Sequence, residues 1–149
     1  MARSEFRFFI PHRARYFEID RQDVVYHGHY LTYFSVAITE FLREVGSDYG
    51  SGKSASGVDF HIVKALAEYK APIRFDQEIA IFVRVSQIGR SSLTYSLEVH
   101  PASEEKLLAS GEVVWVAADR VRQKSVPIPA DLLEQIAGYQ GDTLNPSRP

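Results

Sequence analysis

The chain has 149 residues, 45% of them hydrophobic and 24% charged, with a formal net charge of −2; this balance fits one globular domain with a single core and excludes a disordered or fibrous chain. The small negative charge and scattered Lys and Arg residues argue against a nucleic-acid or anionic-lipid surface. There is no cysteine, which excludes disulfides, thiolate chemistry and Cys-ligated zinc or iron–sulfur centres.

In chain order, residues 7–19 are β-prone and rich in Phe, Ile and Tyr, with Pro11 marking an edge or irregular position. The run from Phe6 to Ile10 is too short for a signal-peptide core, and no apolar stretch approaches membrane-spanning length, so a cytoplasmic protein is expected. Residues 20–28 read as a turn. Over 29–45 the apolar residues Leu31, Phe34, Ala37, Ile38, Phe41, Leu42 and Val45 recur at three- and four-residue steps, which predicts a long amphipathic helix stopped by Gly46. Residues 47–57, with Gly50, Gly52 and Gly57, read as a loop.

Everything after the loop alternates as strand. Val58, Phe60 and Ile62 continue through Ala65, Ala67 and Tyr69; Ile79, Ile81, Val83 and Val85 follow; then Leu93, Tyr95, Leu97 and Val99; then Ala109, Gly111, Val113, Trp115 and Ala117. The short polar turns between these runs predict antiparallel hairpins. A closing helix is expected over 129–137, led by Pro129. The domain is drawn as 1–139, with 140–149 as a mobile tail. One long helix followed by strands predicts an α+β fold in which a curved antiparallel sheet wraps the helix. The sheet's free edges predict self-association, as a homodimer or homotetramer.

The chemistry concentrates between Tyr16 and Tyr30, where Asp20, Asp23, His27, His29, Tyr16, Tyr26 and Tyr30 bridge a strand and the start of the helix. Carboxylates and imidazoles beside a helix N-terminus can move protons or attack, while backbone N–H groups there stabilise developing negative charge. From the residues alone Asp20 serves equally well as a turn or helix cap, Asp23 reads as a turn residue, and His27 can be a satisfied histidine. His27-x-His29 with the two aspartates also suggests a metal set, but positions two apart on a helix diverge, so no metal is expected. His12, His61 and His100 have no local company and read as structural or surface residues.

The pattern Tyr16-x-x-x-Asp20-x-x-x-Val24-Val25-Tyr26-His27-x-x-Tyr30, followed by Leu31-Thr32-Tyr33-Phe34, resembles the hotdog-fold acyl-CoA thioesterases of the 4-hydroxybenzoyl-CoA thioesterase type, in particular the branch associated with the Tol-Pal gene cluster. Tyr69-x-Ala71-Pro72-x-x-x-Asp76, Gly89-x-Ser91-Ser92 and residues 111–127 resemble later parts of the same family, so the likeness spans about 13–133. The resemblance implies a hotdog fold and hydrolysis of an acyl-CoA to free acid and CoA, without cofactor. It implies Asp20 as nucleophile or general base, accompanied by His27 and Tyr16, with the His27 backbone amide polarising the thioester carbonyl. Arg90, Ser91 and Ser92 sit where the family contacts the CoA moiety. This chain carries Asp23 where the family has glycine, which bears on the turn geometry and on the charge beside Asp20. That departure motivates the alternative of a hotdog domain that binds an acyl-CoA or a protein partner without turnover. The acyl group is left open, since Phe34, Phe41, Phe60 and Tyr95 suit an aryl or an aliphatic chain.

Overall fold

The computed structural model describes residues 5–51 and 56–141. Strand β1 (Phe8–Arg13) leads through a 3-10 turn (Tyr16–Glu18) to helix α1 (His29–Glu44). Strands β2 (Val58–Tyr69), β3 (Glu78–Ile88), β4 (Ser92–Pro101) and β5 (Ala109–Asp119) follow, and helix α2 (Ala130–Gln140) closes the chain. The strands form one antiparallel sheet in the order β1-β3-β4-β5-β2. The α+β expectation of a curved antiparallel sheet around one long helix is met.

Helix α1 forms where the apolar stripe requires it. Tyr30, Tyr33, Phe34, Ala37, Ile38, Phe41 and Leu42 are its buried residues, and each large side chain removed from water stabilises the packing by roughly 1.5–3 kcal/mol. The helix ends in a Schellman arrangement: Gly46 N–H donates to Arg43 C=O at 3.1 Å and Ser47 N–H to Leu42 C=O at 2.9 Å. Gly46 supplies the required left-handed φ of +91°. The facing sheet layer is Ile79, Ile81, Val83 and Val85 of β3 with Leu93, Tyr95, Leu97 and Val99 of β4, all buried. The Phe34 ring presses onto the sheet at Gly111, where a Cβ would stand 2.2 Å from it.

The structure differs from the sequence reading in three places. The β-prone stretch over 7–19 is strand only from Phe8 to Arg13; beyond it the chain turns at Tyr16–Glu18. Strand β2 carries a bulge between Ile62 and Lys64, so the α1-facing positions switch from Phe60 and Ile62 to Ala65, Ala67 and Tyr69. Helix α2 runs to Gln140, whose buried side chain accepts from Val85 N–H at 2.7 Å and donates to Val85 C=O at 2.9 Å. That amide occupies backbone groups beside the β3 bulge at Val85/Gln87. Of the expected tail, residues 142–149 lie outside the described residues.

The two sheet edges differ. Strand β1 is short and interrupted by Pro11, a blunt edge. Strand β2 is 12 residues long and leaves Ile62 56%, Val63 61% and Tyr69 49% exposed.

Candidate functional site

Residues 16–25 fold back on themselves before the helix. Ile19 and Val25 form an isolated antiparallel bridge, Tyr26 N–H donates to Glu18 C=O at 2.9 Å, and Asp20 N–H donates to Val24 C=O at 2.9 Å. At the tip Asp23 N–H reaches Asp20 C=O at 3.1 Å, and Asp23 takes φ +62°. This is the left-handed backbone a glycine adopts freely and an aspartate tolerates. The turn therefore accommodates an aspartate at residue 23. The Asp23 carbonyl is touched by Arg74 Nη1 at 3.4 Å.

Asp20 is half-buried and has two roles open to it at once. Its Oδ1 accepts from Gln22 N–H at 2.8 Å, an Asx turn that fixes the side chain. Its Oδ2 accepts no hydrogen bond among the described residues. The carboxylate lines a cleft of about 320 Å³ together with His27, Tyr30, Tyr69, Lys70 and Pro72. It also borders a neighbouring hollow lined by Tyr16, Asp23 and Phe75. Val25 N–H donates to Ile73 C=O at 2.8 Å, which stitches the Asp20 turn to the segment after β2 and so forms the cleft walls.

His27 stands on the last turn before α1. Gly28, the N-cap, contributes no side-chain cap, and the N–H groups of His27 and Gly28 meet no acceptor among the described residues. These amides and the helix dipole give the cleft its positive end. A Cβ on Gly28 would stand 2.6 Å from the Tyr26 ring, so the tight passage needs glycine. Tyr30 is buried beside Tyr69, and burial first, then the neighbouring Tyr69 phenol, pushes its pKa up to about 12; it is a hydrogen-bonding group at neutral pH and not a proton source.

The sequence-predicted residues are thus partly gathered. Asp20 and His27 share one cleft. Tyr16 is 83% exposed, edge-on to Phe75 at 6.0 Å, and meets Asp20 only across the neighbouring hollow. Arg90, Ser91 and Ser92 occupy the β3–β4 hairpin, anchored by Ala117 N–H to Ser91 C=O and Ile128 N–H to Arg90 C=O. Strand β3 separates that hairpin from the Asp20 end by roughly 30 Å. Within one chain it does not join the cleft. Phe34, Phe41 and Tyr95 are fully buried between α1 and the sheet, where they build the core, and Phe60 lines a separate cavity with Trp115. His29 lines a different cavity from His27, together with His12 and Glu18, and no set of three His, Asp or Glu side chains converges as a metal site among the described residues.

Two histidines read as unaccompanied have carboxylate partners. His12 Nε2 lies 3.1 Å from Glu18 Oε1, and His100 Nε2 lies 2.8 Å from Glu98 Oε1 in a buried pair. Glu18 is the residue that sequence reasoning missed. Its buried carboxylate also accepts from Tyr33 Oη at 2.6 Å and Arg15 N–H at 3.1 Å. It fastens the 3-10 turn to both α1 and β1. Its spacing from Tyr33 carries no local signal, because the two residues meet only once the helix packs.

A helix held in an antiparallel sheet, with a half-buried carboxylate and unbonded amides at the helix start, defines a hotdog-type domain of the thioesterase class. The comparisons agree: residues 15–136 match the Thioesterase-like superfamily, and the chain belongs to that family. It is 30% identical over 125 residues to the acyl-CoA thioester hydrolase YbgC of Escherichia coli, covering 84% of this chain and 92% of the relative. A crystal structure of a Pseudomonas aeruginosa protein superposes with a TM-score of 0.81 at 27% identity, covering 95% of this chain and 96% of that one. A 1,4-dihydroxy-2-naphthoyl-CoA thioesterase from Synechocystis shares the fold, with a TM-score of 0.80 at 18% identity over 87% of this chain and 95% of its own. No helix is long and apolar enough to cross a membrane among the described residues.

Proposed function

We propose that the protein hydrolyses an acyl-CoA thioester to the free acid and CoA, as a member of the 4-hydroxybenzoyl-CoA thioesterase type in its Tol-Pal-associated branch. The observation that carries this reading is Asp20 beside His27 in one cleft, with Oδ2 unengaged and unbonded amides at the helix start. The thioester carbonyl oxygen accepts hydrogen bonds from those N–H groups, His27 first, and they strengthen as negative charge gathers on it. Asp20 then acts in one of two ways. As nucleophile it attacks the carbonyl carbon, expels the CoA thiolate and leaves an anhydride that water cleaves. As general base it takes a proton from the attacking water while the thiolate leaves. Neither route needs a metal or a cofactor. Tyr16 borders the Asp20 hollow and would shield the acyl group.

Arg90, Ser91 and Ser92 enter this scheme through a second copy. Two β2 edges paired antiparallel about a twofold axis bring the Val58 end of one strand beside the Tyr69 end of the other. The second copy's β3–β4 hairpin is then carried towards the Asp20 cleft, where Arg90 suits the CoA phosphates. The binding-only alternative rested on Asp23, on its turn geometry and on its charge beside Asp20; the left-handed backbone there accommodates the aspartate, which supports the catalytic reading on the first count.

The test is CoA release from acetyl-, octanoyl-, palmitoyl- and benzoyl-CoA, repeated with Asp20→Asn. Loss of a group acting in proton transfer or attack is expected to lower kcat on the order of 10²–10⁴. Tight acyl-CoA binding without CoA release by the wild type would support the binder instead, and undiminished turnover in the variant would remove Asp20 from the chemistry.

A further inference from the structure

We propose that Tyr69 is a positioning residue of the thioester site, acting through the His27 backbone. The proposal rests on the thioesterase reading above. Tyr69 is the last residue of β2, and the bulge between Ile62 and Lys64 turns its side chain towards α1. Without that inserted residue the strand's alternation would send the phenol to the opposite face. The ring packs edge-on against buried Tyr30, with centroids 4.9 Å apart and an interplanar angle of 86°. Held in this way, its hydroxyl donates to His27 C=O at 3.0 Å.

That carbonyl belongs to a turn with little else to fix it. Its other hydrogen bond, from Tyr30 N–H, is long at 3.3 Å, and the Gly28 N-cap offers no side chain. The peptide plane before His27 is held from one side by His29 N–H donating to Tyr26 C=O at 3.0 Å. The plane after it is held by Tyr69. The first plane carries the His27 N–H and the second the Gly28 N–H, so together the two bonds fix the directions of both amides, neither of which has an acceptor among the described residues. An oxyanion donor is effective when its orientation is fixed before the reaction begins. Loss of the Tyr69 hydroxyl releases the second plane, so the Gly28 N–H spends time misaligned and its neighbour at His27 is held from one side only. Because these hydrogen bonds strengthen as negative charge gathers on the carbonyl oxygen, the loss falls mainly on kcat.

In the full-length protein, Tyr69→Phe keeps the ring against Tyr30 and deletes the hydroxyl alone. With the acyl-CoA that the wild type turns over fastest, kcat is expected to fall about tenfold, less than removal of an oxyanion donor itself, with KM within about twofold. Relaxation-dispersion NMR is expected to show new microsecond–millisecond exchange at the His27 and Gly28 amides. An unchanged kcat, a loss carried by KM alone, or quiet His27 and Gly28 amides overturns the proposal while leaving the thioesterase reading intact. A wild type that releases no CoA from any substrate overturns both. Should Tyr69→Phe fail to fold, 3-fluorotyrosine placed at residue 69 gives the second test. It keeps the donor but acidifies it, so kcat should hold at neutral pH and fall on the alkaline side at a lower pH than in the wild type. A wild-type pH profile for that protein overturns the assignment.

Discussion

Glu18 is ionised inside the protein because three donors surround it. Burial pushes its carboxyl up, but hydrogen bonds from Tyr33, the Arg15 N–H and His12 outweigh burial, and the net shift is below the ordinary value of 4.5. A carboxyl lowered on folding contributes stability that is fully present above pH 4.5 and is lost as pH falls through the folded value. Glu18→Gln is therefore expected to cost about 1–3 kcal/mol at neutral pH, the range for hydrogen bonds to a buried charge. The difference from wild type should shrink on acidification below pH 4.5, read by urea unfolding across pH 3–7. A constant difference across that range would mean that the carboxyl is not held ionised by these donors. The same residue shows why this network was illegible in the sequence. Asp20 and His27 stand in one short motif, whereas Glu18 meets His12 and Tyr33 from three separate elements.

Helix α1 and the strands were legible because each carries its own period. The three- and four-residue stripe gives a helix over His29–Glu44, and the alternating runs give β3, β4 and β5. In β2 the apolar positions shift from even numbers at Phe60 and Ile62 to odd numbers at Ala65, Ala67 and Tyr69. That change of parity marks the bulge at Ile62/Lys64 and with it the placement of Tyr69. What period cannot give is the depth of helix–sheet contact. Gly111 has no room for a side chain: the atom it would gain lies 2.2 Å from the Phe34 ring, inside any attainable separation. Gly111→Ala is expected to destabilise by about 1–3 kcal/mol through overpacking, against the usual gain from replacing a strand glycine. A neutral or raised urea midpoint would mean that Phe34 swings aside freely.

At the scale of the molecule, an exposed apolar stretch runs along β2, where Ile62 and Val63 are uncovered on a 12-residue edge. Long apolar edges are templates for another strand, and soluble proteins otherwise blunt them with charge, proline or short length, as β1 is blunted here. Self-pairing of β2 would close this edge and would also bring together what one chain keeps apart, the Asp20 cleft at one end of the sheet and the Arg90 hairpin at the other. Assembly and activity should therefore be lost together. With Ile62→Lys and Val63→Lys combined, like charges meet across the twofold axis. Sedimentation is expected to move from a dimer or tetramer to a monomer, and kcat/KM to fall on the order of 10² as the second copy's contribution to positioning is removed. Dilution of the wild type should trace the same decline without any substitution. A wild type that sediments as a monomer at full turnover would show instead that one chain holds a complete site, and the Arg90 hairpin would then have no part in binding CoA.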